Sequence, residues 1–267
     1  MVAGATRFIV LLLLWTGSAG ATSIVVKLDP DRILIAADVR GVKLGPNFKS
    51  SNETECKIVA FNDAAFAVTG IADYVRYQLN DPVRSWDAYS DAREAYRAQS
   101  GDLFAAANNW ATRATRHYSS FYLANPARVR QLAKANDQNV LLVGMFTGFR
   151  GDKAQLIVEK IYLDEYGSQP ILHQQLVLPA RESPYSSNRI TEDLIDGYSA
   201  RAKSAQTAWL KISGSIPASM RTLRRIEFLI QATAEYDKTV GTRVNVLEVL
   251  PHKSPHWLQN FTCQSLT

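Results

Sequence analysis

Thr22-Ser23-Ile24-Val25-Val26-Lys27-Leu28-Asp29-Pro30-Asp31-Arg32-Ile33-Leu34-Ile35-Ala36-Ala37-Asp38 is the stretch that decides the fold. Two runs rich in aliphatic and β-branched residues flank Asp29-Pro30-Asp31, a turn signal. That pattern predicts a hairpin with strands over 23–28 and 33–38. A second hairpin is predicted over 57–61 and 64–69, around the turn pair Asn62-Asp63, with Gly70 ending it. Between the two hairpins, 41–55 is polar and reads as a loop containing Gly45-Pro46-Asn47.

The chain then turns helical. Helices are predicted over 73–79, 86–99, 102–122 and 126–135. In the third, Leu103, Ala107, Trp110, Ala114 and Tyr118 recur with a helical period. Strands return over 139–146, 154–162 and, more weakly, 171–178. Helices over 190–209 and 220–236 and a strand over 244–250 follow, and the tail from Pro251 reads as irregular. Runs of strands separated by runs of helices indicate an α+β arrangement rather than alternating βαβ units.

The 267 residues are 46% hydrophobic and 21% charged with a net charge of +5, an ordinary globular balance that excludes wholesale disorder and fibrous repeats. The basic residues are scattered, with no block longer than Arg224-Arg225, so no nucleic-acid footprint is implied. Arg7, the apolar run 8–15 and the small residues Ala19-Gly20-Ala21 have the form of a secretory signal with an A-x-A cleavage site. The apolar run is short of the roughly twenty residues a membrane helix needs; an uncleaved anchor is the alternative reading. The expected organisation is a signal peptide over 1–21, one domain over 22–250 and a tail over 251–267. The expected location is periplasmic or secreted, with no stable membrane insertion after cleavage.

Cleavage after Ala21 would leave Thr22 as the first residue, with a hydroxyl nucleophile and a free α-amine together. An α-amine titrates near pH 7.7–8.0 in reference peptides. It can therefore take the hydroxyl proton without a histidine. Such a nucleophile requires a nearby cation, a carboxylate to hold that cation, and backbone N–H groups facing the oxyanion. Asp38 ends the second strand and Lys57 begins the third. A buried Asp38–Lys57 pair near Thr22 would serve, the plain alternative for each being an exposed surface charge.

Thr22 to Lys27, 33–40 ending Ala37-Asp38-Val39-Arg40, Lys57-Ile58 and Thr69-Gly70-Ile71-Ala72-Asp73 resemble the opening of proteasome β-type subunits and of the bacterial ring protease HslV. Thr22 and Asp38 stand sixteen residues apart, as in that family. The helix ending at Asp237, the turn through Gly241 and the strand after it are similar too. The resemblance implies a four-layer αββα N-terminal-nucleophile (Ntn) hydrolase sandwich. It implies Thr22 as nucleophile, Asp38 and Lys57 as its helpers, and Asp237 as a supporting carboxylate. The oxyanion N–H would come from Thr69 or Gly70. It also implies a homo-oligomer, and peptides or unfolded chains as substrates.

There are departures. Thr69-Gly70 replaces a pair of glycines, and the loop before Lys57 is longer than usual. Val240 falls where the family has a serine, with Thr239 beside it. Ser213-Gly214-Ser215 lies too near Asp237 to be the family's Ser-Gly turn.

The expectation is an exported threonine-type amide hydrolase. The rivals are a small-molecule amidase or acylase on the same fold and an inactive ring-forming scaffold. No cofactor is implied. His252 and His256 have a metal-like spacing, but Pro251 and Pro255 disfavour a helix there and no nearby acidic residue or cysteine completes a set. Two cysteines are too few for a disulfide framework; an oxidising compartment would allow Cys56 and Cys263 to pair.

Overall fold

The opening hairpin forms as its sequence dictates. In the computed structural model, β1 (Ile24–Leu28) and β2 (Ile33–Asp38) pair antiparallel, with Ile24 opposite Ala37 and Leu28 opposite Ile33. The Asp29 N–H donates to the Arg32 carbonyl at 2.9 Å to close the turn. The structure describes residues 23–44, 50–70, 72–78, 81–134, 139–179, 211–236 and 240–263.

Both strands are apolar on both faces, the signature of strands covered from two sides. Ile24, Val26, Leu28, Ile33, Ile35 and Ala37 face a second sheet. Val25, Leu34 and Ala36 pack instead on Ile226, Leu229 and Ile230 of the helix Ala218–Tyr236 (α4). The first sheet is completed by β12 (Val244–Val249) and β13 (His256–Gln259), in the order β1-β2-β12-β13.

The second sheet is also antiparallel, in the order β11-β10-β9-β6-β5. Its strands are β5 (Ile58–Ala60), β6 (Ala64–Gly70), β9 (Val140–Arg150), β10 (Lys153–Leu163) and β11 (Ile171–Pro179). Ala65, Ala67, Val143, Met145, Leu156 and Val158 meet the first sheet. The opposite face presents Phe66, Phe146, Ile157 and Ile161 to the helices Ala88–Ala98 (α1), Leu103–Ala124 (α2) and Pro126–Lys134 (α3).

On α2 the buried stripe is Ala106, Ala107, Trp110, Ala111 and Ala114. The alanines let the helix approach while Trp110 fills the space against Phe66 and Phe146. The indole N–H of Trp110 donates to the Ala88 carbonyl at 3.0 Å, so burial leaves no polar atom unpaired there. Asp87 and Asp102 cap α1 and α2 by accepting N–H bonds from Tyr89 and Ala105.

The expected four-layer αββα Ntn-hydrolase sandwich is corrected. The described residues form a mixed α/β fold with two antiparallel sheets and four helices. The first sheet carries one described helix, not a helical layer, and two separate ribbons lie outside both sheets. One ribbon pairs β3 (Arg40–Leu44) with β4 (Ser50–Thr54), in the segment expected to be loop. The other pairs β7 (Asp73–Gln78) with β8 (Asp81–Asp87), where 73–79 was expected to be helical. Tyr74-Val75-Arg76-Tyr77 is rich in aromatic and β-branched residues, and pairing with β8 wins over a short helix. The tail is not irregular throughout, since β13 pairs with β12. The helix expected over 190–209 lies outside the described residues. No described helix is long and apolar enough to cross a membrane.

Candidate functional site

Asp38 ends β2 on the first sheet, and Lys57 immediately precedes β5 on the edge of the second. The two sheets bring these ends together. The Lys57 ammonium lies 3.0 Å from each Asp38 carboxylate oxygen. The Asp38 side chain is 0% exposed and that of Lys57 3%. An unpaired charge at either place would be prohibitive, so each requires the other.

The carboxylate is further saturated by backbone. Oδ1 accepts from the Ser23 N–H at 2.9 Å. Oδ2 accepts from the Arg40 N–H at 3.1 Å and the Gly241 N–H at 2.9 Å. Both oxygens act only as acceptors, the role of an ionised carboxylate. Three segments are thereby fixed to one side chain: Ser23 before β1, the turn just after β2 and the loop after α4. Glycine is needed at 241. A Cβ there would stand 2.9 Å from the Arg40 Cβ and 3.5 Å from Asp38 Oδ2.

The Ser23 nitrogen is the peptide link to Thr22. One Asp38 oxygen therefore bonds both the Lys57 ammonium and the amide that follows the expected nucleophile. Ser23 itself is fully buried, and its hydroxyl finds no partner among the described residues. Thr22, Asp237 and Thr239 lie outside the described residues.

Thr69 and Gly70 end β6 at the same end of the second sheet. The β5–β6 register pairs Ile58 with Ala67, so its continuation sets Lys57 level with Val68. Thr69 is buried, and Gly70 has φ +99°, a left-handed conformation. A Cβ at Gly70 would stand 2.4 Å from the Leu141 carbonyl oxygen. The second glycine of the expected pair is thus demanded by the backbone, whereas the first position accepts threonine. Val240 is buried in the apolar cluster beneath α4, so its side chain supplies packing and no hydroxyl.

Sequence reasoning left two contributors unread and allowed a third without placing it. Gly241 and Arg40 act through backbone N–H groups, which no side-chain pattern reveals. The third is the tail. Cys263 forms a disulfide with Cys56, the residue before Lys57. Thr262 Oγ1 donates to the Glu55 carbonyl at 3.2 Å. Asn245 on β12 holds the tail by accepting from the Phe261 N–H and donating to Thr262 Oγ1, each at 2.7 Å. The tail thus straps the segment that delivers Lys57. Among the described residues no group of three metal-ligating side chains gathers.

No protein-family model and no curated protein matches this chain. Among solved structures, Anbu from Hyphomicrobium sp. strain MC1 is similar over 89% of this chain and 87% of its own, with 12% identity and a TM-score of 0.39.

Proposed function

We propose that the chain is an exported amide hydrolase of the threonine type, related to proteasome β-type subunits and HslV, acting on peptides or unfolded chains. Thr22, unmasked by removal of residues 1–21, is its nucleophile. The Thr22 hydroxyl attacks the amide carbonyl and passes its proton to its own α-amine. The C–N bond then breaks as the amine returns that proton to the leaving nitrogen. Water cleaves the resulting ester and restores the hydroxyl. Lys57 lowers the cost of negative charge on the threonine oxygen. Asp38 holds Lys57, and the backbone at Thr69 or Gly70 faces the oxyanion. Asp237 is a supporting carboxylate. A homo-oligomer is the proposed assembled form.

The observation that supports this reading is the buried Lys57–Asp38 pair bonded to the amide of Ser23. A merely structural ion pair has no need to sit one residue from a processed chain start. The buried Val240, with no hydroxyl to support the amine, favours the second reading, an inactive scaffold.

Purified exported protein should begin at Thr22 on N-terminal sequencing and turn over fluorogenic peptides. Thr22→Ala should abolish that turnover. A start at Ser23 or Ile24 removes the nucleophile and refutes the proposal. Wild-type protein starting at Thr22 but inert on peptides and acyl amides identifies the scaffold.

A further inference from the structure

At the far end of β5 from Lys57, three remote segments enclose a cleft of about 490 Å³. Phe61 and Asn62 come from the β5–β6 turn. Arg93, Tyr96 and Arg97 come from α1, and Ser254 from the turn before β13. Phe61 lies four positions on from Lys57, about 13 Å at strand rise. This cleft is therefore separate from the proposed catalytic pair.

Its chemistry is specific. Arg93 and Arg97 stand four apart on α1, so both guanidinium groups project from one helix face. Both are exposed, and neither has an ion pair or hydrogen bond among the described residues. Elsewhere arginines of this protein are engaged: Arg113 on Glu94, Arg130 on Glu165, Arg224 on Glu227. Asp63 is the acidic residue beside the cleft, and the Tyr96 hydroxyl donates to it. Two arginines and no carboxylate line the cleft among the described residues, leaving an excess of positive charge. The cleft wall is aromatic. Phe61 lies flat on Tyr96 with ring centroids 4.2 Å apart and planes 8° from parallel. Asn62 and Ser254 add an amide and a hydroxyl able to donate or accept.

We infer that this cleft binds a small aryl oxyanion, an aromatic molecule carrying a carboxylate or phosphate. The Arg93–Arg97 pair holds the anion by charge-assisted, bidentate hydrogen bonds. The ligand ring packs on the Phe61–Tyr96 stack, and Asn62 and Ser254 take its polar substituents. The volume lies within the range of small-molecule sites.

The test is calorimetric titration of the full mature protein with phenyl phosphate, benzoate, inorganic phosphate and phenol at about 150 mM salt. At least one of the two aryl anions should bind at least about tenfold more tightly than either inorganic phosphate or phenol. Whichever of phenyl phosphate and benzoate is tighter identifies the anion. Arg93→Gln with Arg97→Gln should weaken that binding at least about tenfold, with no change in the urea midpoint because both side chains are exposed. Phe61→Leu should weaken the aryl anions but not inorganic phosphate. The assignment is overturned if neither aryl anion gives heat. It is also overturned if inorganic phosphate binds as tightly as both, or if the double variant binds like wild type.

Discussion

Lys57→Met removes one charge from a pair that no water reaches. At 3.0 Å the ammonium and carboxylate attract by about 5–6 kcal/mol for an effective dielectric constant of about 20. Desolvating the ammonium offsets part of that. The carboxylate left behind keeps three backbone donors, at Ser23, Arg40 and Gly241. Breaking a buried pair costs about 3–5 kcal/mol when the remaining charge has no other partner. Here the backbone donors place the loss at the lower end, about 3 kcal/mol. Methionine matches the lysine stem in length, so packing is retained.

Urea unfolding of the oxidised protein measures that loss, and a cycle with Asp38→Asn isolates the coupling, expected at about 2–3 kcal/mol. On fluorogenic peptides the folded variant should lose about 10²–10⁴-fold in kcat with KM little changed, because the ammonium acts on charge formed in the transition state. A variant that keeps the wild-type urea midpoint and at least half the activity would refute both the energetic and the catalytic argument.

Three further outcomes are expected. Cys56→Ser with Cys263→Ser opens a loop of 207 residues, which a chain-entropy estimate values at about 5 kcal/mol as an upper figure; urea unfolding with and without dithiothreitol checks it, and wild-type activity should fall on reduction as the Lys57 strap loosens. Gly70→Ala should cost at least about 1–3 kcal/mol and slow turnover, measured by the same two assays, because a Cβ meets the Leu141 carbonyl at 2.4 Å.

Glu159 on β10 is raised from 4.5 to about 7 by burial, with a hydrogen bond from Gln175 acting the other way. The folded protein thus holds its proton more tightly than the unfolded chain, so this contribution to stability is complete below about pH 4.5 and is lost as pH rises through about 7. The loss is about 3 kcal/mol at most, and less because His173 lies 3.4 Å from the carboxylate. Glu159→Gln should abolish this slope, read as the difference between urea midpoints of wild type and variant across that window.

The parts legible in sequence were those where local chemistry and tertiary demand agree. β1, β2, β5 and β6 carry aliphatic runs bounded by Asp29-Pro30-Asp31 and Asn62-Asp63, and α2 carries a helical period whose alanines and Trp110 are the buried face. Asp38 could be singled out because a carboxylate at the end of a fully apolar strand has to be answered by something. Where pairing is set by a distant partner, the signal failed. Ser50–Thr54 is polar throughout and forms a strand because Arg40–Leu44 lies beside it. His256–Gln259 follows Pro251 and Pro255, yet it pairs with β12. The Cys56–Cys263 bond joins residues whose separation gives no local cue, so composition could allow it but not place it.

The two charges of the site are held by different devices. Asp38 is fixed by backbone N–H groups from three segments of the chain, one of them the loop after α4. Lys57 is fixed by an edge strand whose start is tied to the C-terminal tail through Cys56, Glu55 and Thr262. The two anchorages meet, since the Glu55 N–H donates to the Val39 carbonyl at 2.8 Å and the tail is held by Asn245 on β12, the neighbour of β2, so the ammonium cannot drift from the carboxylate unless a sheet edge or the tail yields. A site needed only for stability could use well-packed hydrophobic residues at no loss. Redundant anchorage of a desolvated charge makes sense where position matters more than net stability, as the proposed function requires of a group that meets charge developing on the nucleophile's oxygen without reorganising. That is why the tail, remote from the pair in sequence, should control turnover as well as unfolding.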